Sequence, residues 1–120
     1  MTALPPQPLS PLDGRYRSAV AELGDHLSEA GLNRARVQVE VEWLIYLTGH
    51  RMFGSSPLSA EQIRSLRALA DGFGQPEIDR LAELEATTKH DVKAVEYLVR
   101  ERLHALGLDH IVELTHFAAT

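Results

Sequence analysis

The spacing of apolar residues constrains the fold of this chain more than any other feature. In its second half, Val92, Val95 and Leu98 recur at intervals of three residues, which places them on one face of an α-helix. The same period continues through most of the 120 residues, of which 44% are apolar, enough to bury one core. We therefore predict one helical domain.

The N-terminal stretch has a different character. Residues 1–14 carry four of the six prolines and end in the turn pair Asp13-Gly14, which predicts an extended arm over 1–14. From Arg15 onward, the apolar spacing of Val20, Leu23 and Leu27 is helical. We expect a first helix from Arg15 that ends at Gly31, and a helical domain over 15–120.

The segment from Leu32 to Gly49 fits two patterns. Val37, Val39 and Val41 alternate with polar residues as in a half-buried strand, but Val37, Val41 and Leu44 also fit one helical face, together with Ile45 and Thr48. Because the run is too long for an ordinary strand, we predict a second helix.

Cap and turn signals divide the remainder of the chain. A third helix is capped by Ser59 with Gln62 and ends at Gly72, a fourth is opened by Pro76 and ends at Thr87-Thr88, a fifth is capped by Asp91 and closed by Gly107, and a sixth helical or loop segment covers 111–120. Five or six amphipathic helices without a convincing strand predict an all-α fold.

Charge and composition exclude several classes of protein. The formal net charge of -5 offers no basic surface for nucleic acid, and the lack of cysteine excludes disulfides and thiolate metal sites. The first residues do not resemble a signal peptide, and no run of 18 apolar residues exists. We expect a cytoplasmic protein with neither a membrane nor a nucleic-acid partner.

The six histidines do not form a metal-binding pattern. No pair lies at the i, i+4 spacing, and His104, His110 and His116 are six residues apart, which turns them toward different faces of a helix. We predict no metal site.

Two polar segments are candidates for ligand binding. Residues 87–93 gather hydroxyls, an imidazole, a carboxylate and two ammonium groups at a helix start, where anions bind well. The alternative is simple capping by Asp91 within a solvated charge cluster. Arg15 and Tyr16 could together bind a phosphate, although without further context a surface salt bridge is the more ordinary explanation of Arg15.

Four segments, taken in order, resemble the start of bacterial adenylosuccinate lyases. They are Ser10-Pro11-Leu12-Asp13-Gly14-Arg15-Tyr16, Arg36-Val37-Gln38-Val39-Glu40-Val41-Glu42-Trp43-Leu44, Thr87-Thr88-Lys89-His90-Asp91-Val92-Lys93-Ala94-Val95-Glu96-Tyr97 and His116-Phe117-Ala118-Ala119-Thr120. The resemblance runs from about Leu9 to the last residue. It is least specific over 57–83.

This resemblance implies a fold and a reaction. The family belongs to the fumarase/aspartase superfamily of all-α homotetramers, in which an N-terminal domain precedes a long central helical bundle and active sites form between subunits. It implies β-elimination of fumarate from adenylosuccinate to give AMP, and from succinyl-aminoimidazole-carboxamide ribotide in purine biosynthesis. No cofactor is implied.

The resemblance also implies roles for individual residues. Arg15 and Tyr16 would contact the AMP portion of the substrate, and Thr120 would bind its succinyl end. Lys89, His90 and Asp91 would form a substrate-binding segment, in which His90 orients the substrate and assists near the scissile C–N bond.

The main acid and base of the family match no residue of this chain, and the sequence stops before the central bundle. We therefore expect the chain by itself to be inactive. Two alternatives remain: another lyase of the superfamily, such as one acting on argininosuccinate, or a non-catalytic helical module that binds a nucleotide or a protein.

Overall fold

The computed structural model describes residues 2–119, and this part of the chain consists of helices and turns without a strand. The all-α prediction is confirmed. The α-helices are α1 (Gly24–Leu27), α2 (Glu29–Gly49), α3 (Ala60–Asp71), α4 (Gln75–Thr88) and α5 (Asp91–Ala105), with short 3-10 helices at Ala21–Leu23, Met52–Gly54 and Asp109–Leu114.

The chain divides into two compact units, residues 1–32 and residues 33–120, with the boundary inside α2. In the first unit, residues 2–8 have no regular structure and residues 11–20 form successive turns. The boundary of an arm at residue 14 remains a prediction.

The first helix predicted from Arg15 to Gly31 is wrong. Ser28 interrupts the helical path with an extended backbone (ψ 163°), and its Oγ accepts a hydrogen bond from the N–H of Gly31 at 3.0 Å. Gly31 lies in the first turn of α2, where an added Cβ would approach the carbonyl oxygen of Asp25 to 2.6 Å. Gly31 therefore permits a close backbone approach and does not end a helix.

The helix predicted over Leu32 to Gly49 is confirmed as α2, which starts three residues earlier, at Glu29. Val37, Val41, Leu44 and Thr48 are buried on one face, as their spacing indicated, and Ile45 is partly buried beside them. Val39 is 61% exposed. The alternation that suggested a strand is thus incidental, since a helix places Val39 away from the core.

The predicted start of α3 is confirmed in detail. Ser59 Oγ accepts a hydrogen bond from the N–H of Gln62 at 3.1 Å, and the Gln62 side chain accepts one from the N–H of Ser59 at 2.9 Å. The helix ends at Asp71, with Gly72 as its C-cap. Pro76 lies in the first turn of α4, as expected.

Helices α4 and α5 form a hairpin, because only Lys89 and His90 separate two helices that pack against each other. Helix α5 also contacts α3 and the 3-10 helix at Asp109–Leu114. One apolar cluster joins these elements to α2, and its members are Val37, Val41, Leu44, Leu66, Leu69, Ala70, Leu81, Ala94, Val95, Leu98, Val99, Leu103, Leu108, Ile111 and Val112. The polar Lys89-His90 turn lies at one end of this hairpin.

Candidate functional site

The turn between α4 and α5 presents Lys89 and His90 on the surface. Lys89 adopts a left-handed conformation (φ 55°), and its N–H donates to the carbonyl of Glu85 at 2.8 Å, which ends α4. Thr88 Oγ1 lies 3.1 Å from the carbonyl oxygen of His90 and 3.3 Å from its N–H, and so braces the turn. The chain thereby reverses in two residues and exposes both side chains.

His90, and not Asp91 as predicted, is the N-cap of α5. Its backbone is extended (φ -149°, ψ 117°), and its Nδ1 accepts a hydrogen bond from the N–H of Lys93 at 3.1 Å. An N-cap side chain must reach the N–H three residues ahead, and Asp91 is already inside the helix, one position too late. The His90 side chain is 63% exposed, and no group within residues 2–119 pairs with its Nε2.

Asp91 points instead toward α2. Its Oδ2 accepts from Arg36 at 3.0 Å, and its Oδ1 accepts from the N–H of Val92 at 2.9 Å. These contacts hold the pKa of the Asp91 carboxyl below its ordinary value of 3.8, with the Val92 N–H as the larger cause and the Arg36 guanidinium as a further one. The ion pair ties the start of α5 to α2 and so fixes the turn that carries His90.

Arg15 and Tyr16 lie in the first unit, at the end of a tight turn. The carboxylate of Asp13 accepts from the N–H groups of Leu9 and Ser10 at 3.0 and 2.7 Å, and the N–H of Tyr16 donates to the carbonyl of Pro11 at 2.8 Å. Asp13 is thus committed to the turn, and the backbone bonds lower the pKa of its carboxyl.

The two side chains that were predicted to bind the nucleotide are exposed. The Arg15 guanidinium carbon lies 5.5 Å from the centroid of the Tyr16 ring, within the range of a cation–π contact. No ion pair of Arg15 with a described residue competes with this arrangement. The surface salt bridge that was its alternative explanation is therefore not seen within residues 2–119.

Thr120 lies outside the described residues, but the segment that leads to it is anchored on α2. His116 Nδ1 hydrogen-bonds to Oε1 of the buried Glu40, and the indole N–H of Trp43 donates to the carbonyl of Phe117 at 2.6 Å. The ring of Phe53 meets the ring of Phe117 edge-on, with 4.7 Å between centroids. Residues 115–119 are thus held by contacts distant in sequence.

Sequence reasoning missed Arg36 and Glu40 as residues that organise the site. Glu40 is 5% exposed and lies next to the core face of α2, between Val37 and Val41. A carboxylate beside the apolar face of a helix could have indicated a structural role for Glu40, because buried charges require a partner. The partner itself, 76 residues away, carried no signal.

The Lys89-His90 turn offers a cation and hydrogen-bond donors. An ammonium group and an imidazole lie beside the N-terminus of α5, where the helix dipole favours negative charge. Among residues 2–119, no group of three His, Asp or Glu side chains is placed to hold a metal ion. No helix within the same residues is both long and apolar enough to cross a membrane.

No protein-family model matches the sequence. Curated proteins do match it, over 93% of the chain: adenylosuccinate lyase of Escherichia coli K12 and that of Vibrio cholerae, each 42% identical over 114 residues, and that of Dictyostelium discoideum, 36% identical over 118 residues. The chain spans about 25% of the length of these relatives. Over 93% of its length the chain is therefore similar to an N-terminal portion of adenylosuccinate lyases.

Proposed function

We propose that this chain forms the N-terminal part of an adenylosuccinate lyase, which eliminates fumarate from adenylosuccinate to give AMP, and from succinyl-aminoimidazole-carboxamide ribotide in purine biosynthesis. The observation that carries the proposal is the exposed imidazole of His90 at the start of α5, in a chain similar to these lyases over 93% of its length.

His90 has the hydrogen-bonding state that a donor in this reaction needs. Because Nδ1 accepts from the N–H of Lys93, the proton of the neutral imidazole resides on Nε2. This tautomer follows from the bond at Nδ1. The Nε2–H can donate to the substrate beside the scissile C–N bond, where it would orient the leaving nitrogen and assist its departure.

The cations of the site suit an anionic substrate. Lys89 makes no ion pair with a described residue, so its ammonium group is available for a carboxylate or a phosphate. Arg15 and Tyr16 would hold the AMP portion, and Thr120 would hold the succinyl end. Asp91 would serve the substrate by positioning the turn, because Arg36 occupies one of its oxygens.

The elimination also requires a base that removes a proton beside a carboxylate and an acid for the leaving nitrogen. In the proposal, both come from the remaining lyase chain and from neighbouring subunits of a cytoplasmic homotetramer. The 120-residue chain alone is then inactive.

The first test measures the release of fumarate from adenylosuccinate by absorbance. The purified 120-residue chain is compared with a protein in which the remainder of the lyase continues it, and argininosuccinate serves as the competing substrate. We expect release from adenylosuccinate by the longer protein alone. Release by neither protein would favour a non-catalytic module, and a preference for argininosuccinate would assign the chain to another lyase.

A further inference from the structure

We propose that Glu40 is a positioning residue of this site: from α2 it holds His116, and it thereby sets the path of residues 115–119. The link to substrate rests on the proposed function. The link between Glu40 and the segment stands on the contacts within residues 33–119.

The burial of the Glu40 carboxylate destabilises the fold unless the carboxylate has a partner. Its side chain is 6% exposed, and Oε2 is buried without a hydrogen-bond partner among residues 2–119. Its other oxygen, Oε1, binds His116 Nδ1. A leucine at this position would fill the space without the loss of hydration that a carboxylate suffers. The benefit of the carboxylate is therefore its hold on His116.

The segment that Glu40 holds has an unfavourable backbone. His116 and Ala118 both lie in the left-handed region, with φ of 63° and 58°, which residues with a Cβ rarely occupy. Local preference does not maintain such a path. The contacts from Glu40 to His116 and from Trp43 to the carbonyl of Phe117 maintain it, because both anchors lie on the regular helix α2.

The position of this segment matters for binding because Thr120 follows Ala119 directly. A binding group that shifts by about 1 Å loses much of its contribution to a reaction. When Glu40 releases His116, the left-handed residues His116 and Ala118 relax and residues 115–119 change their path. The affinity for the substrate should then change more than the turnover does.

Trp43 is the only tryptophan of the chain, and its indole bonds to the segment, so its fluorescence reports the position of the segment directly. Glu40→Leu removes the bond to His116, whereas Glu40→Gln keeps an acceptor of the same shape. In the 120-residue chain we expect Glu40→Leu to shift the Trp43 emission and at least double its quenching by acrylamide, and Glu40→Gln to resemble the wild type. Glu101→Leu, at an exposed glutamate paired with Arg80, is the control.

Circular dichroism and thermal unfolding establish that each variant is folded. If Glu40→Leu does not fold, His116→Ala breaks the same pair from a half-buried side chain. Wild-type emission and quenching in a folded variant that lacks the pair would overturn the role of Glu40 in holding the segment.

The longer lyase tests the second link. We expect Glu40→Leu to raise KM for adenylosuccinate at least fivefold with a smaller change in kcat, and Glu40→Gln to restore KM. Unchanged KM in Glu40→Leu would overturn the link to substrate. If the wild-type protein releases no fumarate, the proposed function fails, while the fluorescence result still decides whether Glu40 holds the segment.

Discussion

His90 caps α5 through one ring nitrogen and leaves the other without a partner among residues 2–119, so its capping role and its proposed role at the substrate can be separated by substitution. Asparagine is a strong N-cap residue but lacks a group equivalent to Nε2. Asp91 and Thr88 belong to the same turn, but they are held by Arg36 and by the backbone of His90. At the scale of the residue, the free imidazole nitrogen is what distinguishes His90 from its neighbours.

We expect His90→Asn in the full-length lyase to lower turnover at least about tenfold, because positioned proton donors contribute that much or more. Its melting temperature should stay at or above that of the wild type. His90→Ala should lower turnover equally and also lose about 1 kcal/mol of unfolding free energy, since the cap is gone. Fumarate release measures the turnover of each variant, and urea unfolding measures its stability. Wild-type turnover in His90→Asn would contradict the proposal that His90 assists the reaction.

Helix α3 shows how local signals can define an element. Its Ser59–Gln62 capping box was readable from four residues, because both partners of each hydrogen bond lie within one turn. The start of α4 at Gly74 and Gln75 is of the same kind, with Glu77 accepting from the N–H of Gly74 at 2.8 Å. At the scale of the element, such starts do not depend on the rest of the molecule.

Ser59→Ala should therefore lower the free energy of unfolding by about 1 kcal/mol, because the N–H of Gln62 loses its acceptor. Urea unfolding of the 120-residue chain measures it. Ser65→Ala, in the interior of the same helix, is the matched control and should change stability little, since alanine is the better helix former. An equal loss of unfolding free energy in Ser59→Ala and Ser65→Ala would show that the cap does not contribute to stability.

The first helix shows the limit of local signals. Val20, Leu23 and Leu27 have helical spacing, yet Leu23 is 52% and Leu27 is 78% exposed, and the helical path breaks at Ser28. Amphipathic spacing stabilises a helix only where its apolar face is buried. The predicted face is not buried in this chain, and the segment forms turns, a 3-10 helix and the four-residue α1 instead.

Among residues 2–119, four carboxyl groups have a pKa below the ordinary value because N–H groups, a guanidinium or an imidazole favour their charged form; they are Asp13, Glu42, Asp91 and Asp109. A group whose pKa is lowered on folding stabilises the folded chain above its unfolded pKa. That contribution is lost as the pH falls through the folded pKa. The chain should therefore be less stable in acid than at neutral pH.

We expect the melting temperature of the chain to fall as the pH drops below the ordinary carboxyl values of 4.5 and 3.8. Asp91→Asn should be less stable than the wild type at neutral pH, and the difference should narrow in acid, where Asp91 itself becomes protonated. Calorimetry across this pH range measures the melting temperatures of the wild type and of Asp91→Asn. Glu85→Gln, at an exposed carboxyl without an ion pair among residues 2–119, is the control, and a gap for Asp91→Asn that does not narrow would contradict the argument.

Features set by residues that are close together in the sequence could be predicted from the sequence by itself. Apolar spacing predicted the all-α class and the buried face of α2, and cap and turn signals located α3 to α5. Each of these signals rests on residues within a few turns of one another, where geometry is set by the helix itself. The four ordered motifs supplied the resemblance to adenylosuccinate lyases. The roles of Arg15, Tyr16, Lys89, His90, Asp91 and Thr120 remain proposals.

Tertiary structure alone decided which partner each polar group takes. Asp91 pairs with Arg36 at a separation of 55 residues, Glu40 with His116 at 76, and Trp43 with Phe117 at 74. Such pairs form only once the core has brought distant segments together, and no local pattern encodes them.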